Sequence, residues 1–417
     1  MLAAALAAAA MAHTAHALPN SGQSAIVSLG DSFISGEAGR WHGNSIVNGL
    51  DRQGTDRAYV SPLKYDLSRV YGNTVDNGCH RSDVAEIKQA AIDGLRGINV
   101  ACSGAQTENV IRRSRGGKPF KGQSPQNDNL VSLARVYRVR AIVLSIGGND
   151  LGFSNIIQAC VTDYLETPVW SKRLCKHSQE RIFRERLSRA MGNVRLVVQD
   201  IRALMQEEGY RRDDYRLILQ SYPSPVPRSA DMRYPEARYD RLTHGCPMWN
   251  EDLDWARGSL VPQIAFSLRA VAAREGAEFL DLQDLFDGHE PCSKTAELGG
   301  TKPAAQLEWA RYVSMGILQG DLQEALHPNA IGQDAMGTCL IDVLARRGTA
   351  WACRAGAGVA PQAARVTPLT SAEPDVRVPD FDELADVGPK HEPRWPSGEE
   401  ALEAAREVHA QDGAGED

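Results

Sequence analysis

The chain alternates between short apolar runs and longer stretches in which apolar residues recur every three or four positions. The runs AIVSLGDS from Ala25, INVACSG from Ile98, AIVLSIGGND from Ala141, RLILQSYP from Arg216 and EFLDL from Glu278 read as strands. Most are continuous rather than alternating, as strands buried on both faces require. Between them the pattern predicts helices near 82–94, 127–138, 153–164, 178–208, 253–275 and 330–347. Over 178–208, Phe183, Leu187, Met191, Val194, Val198, Ile201 and Met205 fall at helical spacing, a stripe that serves core packing. Strands alternating with helices predict a three-layer α/β/α sandwich around a mostly parallel, five-stranded sheet.

In such sheets ligands bind beyond the carboxyl ends of the strands, and the unusual residues collect there. Ser32 follows the first strand, Ser103-Gly104 the second and Gly147-Gly148-Asn149-Asp150 the third. A serine hydroxyl is a weak nucleophile without a base, and the oxyanion formed on attack needs fixed donors. Gly104 offers a main-chain N–H with no side chain in the way, Asn149 an amide, and Ser32 its own N–H. The stretch EALHPNAIGQ supplies a base in His327. Pro328 keeps that residue out of the following helix, on a loop able to reach the strand ends, and Asn329 is placed to cap the helix. Each signal alone has an ordinary reading as a turn or a surface histidine; their joint order is what carries weight.

Composition narrows the partners. A net charge of -7 over 417 residues leaves no basic footprint for nucleic acid, and after the N-terminus no apolar run is long enough to span a bilayer. The expected partner is a small-molecule or lipid ester, with no cofactor, no metal, no nucleic acid and a monomeric chain. Residues 1–17, an Ala-rich run ending Ala15-His16-Ala17 but without a basic n-region, fit a secretory signal peptide. The folded domain is expected over 18–354. Residues 355–417, with 14 acids against 5 bases and many Pro and Ala, are expected to form a disordered acidic tail. Eight cysteines fit an exported chain. They allow 105 pairings, of which the sequential one, Cys79-Cys102, Cys160-Cys175, Cys246-Cys292 and Cys339-Cys353, closes short loops and is the working hypothesis.

The sequence resembles the SGNH hydrolases, also called GDSL esterases and lipases. SLGDSFISGEAG around Ser32 is similar to the family's first block, ACSGAQT with Gly104 to the second, IGGNDLGF with Asn149 to the third and HPNAIGQ with His327 to the fifth. The likeness runs from about Ala25 to Arg346, and GCHRSD around Cys79 resembles the secreted, disulfide-containing actinomycete members. The resemblance implies the family's version of a flavodoxin-like fold and a secreted lipase or esterase. It implies Ser32 as nucleophile, His327 as general base and then acid, and an oxyanion hole of Ser32 N–H, Gly104 N–H and the Asn149 side chain. Where the family often has Asp, three residues before the histidine, this chain has Glu324. Either Glu324 accepts the Nδ1–H bond of His327, or a main-chain carbonyl does, as in some secreted relatives. The alternatives are a carbohydrate O-acetyl esterase using the same residues and an exported binding protein that has lost the chemistry. No G-x-S-x-G elbow and no P-loop occurs.

Overall fold

A computed structural model describes residues 21–44, 55–62, 64–90, 94–237, 240–299, 302–313 and 320–370. The proposed signal peptide and the acidic residues after 370 lie outside them. The main sheet comprises β1 (Ser24–Gly30), β2 (Arg96–Asn99), β3 (Arg138–Ser145), β4 (Arg216–Gln220), β5 (Glu278–Asp281), β6 (Ala350–Arg354) and β7 (Arg365–Pro368). Their order is β2-β1-β3-β4-β5-β6-β7, parallel throughout except for β7. The first five strands thus follow the flavodoxin-like order, with its switch point between β1 and β3.

The continuous apolar runs are explained by helices on both faces. Val27, Leu29, Ile142, Leu144, Leu217 and Leu219 belong to one core with α2 (Gln126–Val136), α3 (Phe153–Glu166), α4 (Cys175–Glu207) and α5 (Val261–Glu275). Ile26, Ala141, Val143, Ile218 and Leu280 face the other way, against α6 (Ala330–Leu344). Helix α1 (Ser32–Ser35) is one turn long and caps the end of β1. The four disulfides link Cys79 to Cys102, Cys160 to Cys175, Cys246 to Cys292 and Cys339 to Cys353.

Two expectations need correction. The sheet has seven strands, not five, and the chain does not lose regular structure at residue 355. Both strands are short; only Val366 of the RVTP strand is buried, so β7 lacks the apolar run that marks an inner strand, while β6 buries just Trp351, Ala352 and Cys353. β7 runs antiparallel to β6 from Trp351↔Pro368 to Arg354↔Arg365 and covers an edge that would otherwise be open. Ending the chain after Arg354 removes this pairing and uncovers Trp351 and Cys353. We expect the melting temperature to fall by roughly 5–10 °C, read by thermal denaturation against the full chain.

Candidate active site

The carboxyl ends of β1, β2 and β3 meet where the strand order reverses. β1 ends in Gly30, whose φ is +139°; a Cβ there would lie 1.8 Å from the Ser145 carbonyl oxygen. Only glycine lets the two strand ends come this close. The Gln126 amide then clamps the same residue, accepting from Gly30 N–H and donating to Gly30 C=O, both at 2.7 Å. Asp31 N–H donates to Ser145 C=O at 3.0 Å, and the Asp31 carboxyl caps α1 by accepting from Phe33 N–H at 3.2 Å. Ser32 therefore leaves the strand on a turn fixed from three sides.

Tyr222, just past β4, ties this turn to the next. Its hydroxyl donates to Asp31 Oδ2 at 2.6 Å and accepts from Gly148 N–H at 3.0 Å. Asn149 follows directly, with Nδ2 donating to the Ala105 carbonyl at 2.9 Å, which leaves its second N–H uncommitted. Gly104 has φ +83°, and among the described residues neither its N–H nor that of Ser32 has an acceptor. Cys79-Cys102 and the Ser103 N–H bond to Cys79 C=O hold the Gly104 loop from behind. Burial pushes the Asp31 carboxyl up to about 7, against the Tyr222 and Phe33 bonds.

His327 reaches the same place from the far end of the chain. Its Nε2 is 2.7 Å from Ser32 Oγ, and its Nδ1 is 2.9 Å from the Ala325 carbonyl oxygen. A carbonyl only accepts, so Nδ1 carries the proton and Nε2 is left as the acceptor for the Ser32 hydroxyl. Burial lowers the His327 pKa, while Glu37 and the carbonyl bonds raise it in part. The loop does not swing. Leu326 N–H donates to Arg311 C=O, Arg311 N–H to His327 C=O and Ala330 N–H to Trp41 C=O, at 2.7, 2.8 and 2.8 Å. Asn329 caps α6 through Ile331 and Gly332 N–H.

The structure brings Ser32, Gly104, Asn149 and His327 to one edge and leaves Glu324 out of hydrogen-bonding contact with the ring. The Glu324 carboxyl is instead buried against Trp41 Nε1 at 2.7 Å and Asp321 N–H at 3.1 Å. The expectation that Glu324 accepts the Nδ1–H bond is corrected by these distances: a side chain turned into the core toward Trp41 cannot also meet the imidazole. A main-chain acceptor was the other of the two alternatives, but the sequence could not say which carbonyl it is, since every residue has one. Tyr222 carried a weak signal, an aromatic just beyond a strand end.

A serine hydroxyl in contact with an oriented imidazole, beside uncommitted N–H donors, thus lies at the carboxyl edge of a mostly parallel sheet. Residues 29–335 match the GDSL-like Lipase/Acylhydrolase family, and the chain belongs to it, which makes it a carboxylic ester hydrolase. It is 26% identical over 253 residues to Lipase 2 of Streptomyces coelicolor, covering 60% of this chain and 72% of that one. Solved structures similar to it include an extracellular lipase from Streptomyces rimosus (19% identity, TM-score 0.44) and phospholipase A1 from Streptomyces albidoflavus (19%, TM-score 0.45). Each comparison covers 78% of this chain and 99% of the other.

Replacing Tyr222 with Phe strands Gly148 N–H and removes a donor from buried Asp31. Such losses cost about 1–3 kcal/mol. Equilibrium denaturation of Tyr222→Phe should show that loss, together with a lower kcat from a slackened Asn149 turn.

Proposed function

We propose that the protein is an exported lipase or esterase that cleaves carboxylic esters through an acyl-enzyme on Ser32. The observation that carries this reading is the 2.7 Å contact between Ser32 Oγ and His327 Nε2, with the other ring nitrogen committed to a carbonyl. His327 takes the Ser32 proton as Oγ attacks the acyl carbon. The oxyanion is met by Ser32 N–H, Gly104 N–H and the free Asn149 N–H. The imidazolium then gives its proton to the departing alkoxide. Water, deprotonated in turn by His327, attacks the acyl-enzyme, releases the acid and returns the proton to Ser32.

Four disulfides and the Ala-rich start support export. Among the described residues, no helix is long and apolar enough to cross a membrane.

Ser32→Ala should hydrolyse a short p-nitrophenyl ester at background rate and escape labelling by a fluorophosphonate. A folded variant with parental turnover would overturn the assignment. Asn149→Ala should lower kcat by about 10²–10³-fold, and His327→Ala by ~10²-fold or more. Because burial depresses the His327 pKa, its base form persists below the usual histidine range. The acid limb of kcat/KM should fall below pH 6.5, read from a pH–rate profile on the same ester.

A further inference from the structure

His327 depends on one carbonyl, whose peptide group is tied to the body of the protein on one side by the Leu326 N–H bond to Arg311 C=O at 2.7 Å. Leu322–Glu324 forms a single 3-10 turn, followed by Ala325 and by Leu326 at φ +60°. The main-chain N–H groups of Glu324, Ala325 and His327 donate back into this turn, to Asp321, Leu322 and Glu324. Before Leu326, its links to the body of the protein run through side chains. Gln323 Nε2 donates to Ser103 Oγ at 2.9 Å, and its 3.2 Å contact reaches Glu37 Oε2. The deeper anchor is Glu324, which is 1% exposed. Its Oε2 accepts from Trp41 Nε1 at 2.7 Å and its Oε1 lies 3.2 Å from the Tyr71 hydroxyl.

We infer that Glu324 is a positioning residue for ester hydrolysis: clamped to Trp41 and Tyr71, it fixes the turn that aims the Ala325 carbonyl at His327 Nδ1. The inference rests on His327 acting as the general base. It assigns Glu324 an indirect role, because the carboxyl never meets the ring. The groups around it fit a clamp. Arg40 Nη1 is 3.9 Å from Oε1, Arg311 packs on the Trp41 ring at 3.8 Å, and Asp321 donates its N–H. On the far side, Tyr71 stacks on His80, which contacts Glu37 Oε1 at 2.7 Å.

The Tyr71 hydroxyl has one proton and two acceptors in reach, the Glu37 carbonyl and Glu324 Oε1. A Glu324 protonated on Oε1 donates to Tyr71, which then donates to Glu37, and every group is satisfied. Burial pushes the Glu324 carboxyl up to about 7, against Arg40, the Trp41 bond and Arg311 and with Asp321, so this form is accessible near neutrality. Glutamine reproduces that pattern of one donor and one acceptor.

The test compares Glu324→Ala, Glu324→Gln, Trp41→Phe and His327→Ala in the full chain. Hydrolysis of a short p-nitrophenyl ester is followed across pH, with active sites counted by fluorophosphonate labelling. Losing a well-aimed carbonyl removes a bond that favours the imidazolium, so the His327 pKa drops further. Glu324→Ala should lower kcat per labelled site by roughly 10–100-fold with KM within about threefold, and move the acid limb to lower pH. Glu324→Gln should recover all but about threefold of that loss, and Trp41→Phe should cost ~3–10-fold with the same displacement of the limb.

Parental kcat per labelled site and an unmoved acid limb in folded Glu324→Ala overturn the inference. So does a fall in activity that only tracks the number of labelled sites. If Glu324→Ala does not fold, Trp41→Phe decides on the same two readouts. Near-parental activity in His327→Ala would instead overturn the role given to the histidine.

Discussion

The segment 326–330 is gripped between two other pieces of chain, and the chemistry available at the sheet edge depends on that grip. On one side Ala310 bridges Pro328 in antiparallel fashion; on the other Ala38 bridges Asn329 in parallel. The loop thus behaves as a short inner strand of a small mixed ladder, although neither its length nor its composition resembles one. His327 is held on the main chain at both sides, with Nδ1 closed off by a carbonyl. The remaining ring freedom is spent on one contact, the Ser32 hydroxyl. Orientation built into main-chain pairing costs nothing at the moment of reaction, unlike a side chain that must be ordered by the substrate.

The same logic runs through the rest of the edge. Gly30, Asp31, Gln126, Ser145 and Tyr222 form a connected set of hydrogen bonds under Ser32 and Gly148, so the nucleophile turn and the amide turn are built as one piece. Much of this set is buried, and burial moves an acid and a base in opposite directions on the pH scale. It raises the Asp31 carboxyl toward neutrality and depresses the His327 imidazolium. Both shifts disfavour charge in the resting site. On the proposed mechanism, a substrate-derived oxyanion forms where few fixed charges compete for the donors.

How much of this was legible beforehand follows from where each signal lives. Ser32, Gly104, Asn149 and His327 were readable because their side chains, or in glycine's case the absence of one, are uncommon at strand ends. Inner strands were readable because burial on both faces leaves no room for polar residues. β7 was not, since an edge strand with one buried residue in four has the composition of a loop, and the short apolar run of β6, Trp351 to Cys353, was missed. Glu324 and a main-chain carbonyl were left open as alternatives because spacing from His327 says which residues are near, not which way a side chain turns once Trp41 and Tyr71 offer it a buried alternative. The Ala325 carbonyl and the long-range contacts of Tyr222 carry no local signature.

Ser32 and His327 are 295 positions apart, with His327 on the segment between β5 and α6. A chain that has completed β1 to β5 already presents its serine turn and its amide turn, yet lacks its base. Contacts this distant in sequence form late, because the loop entropy must be overcome before they reward it. On the proposed mechanism, molecules in which His327 has not yet reached Ser32 lack the base that activates it. In a hydrolase aimed at acyl esters, catalytic competence doubles as a proof that the whole domain has been assembled.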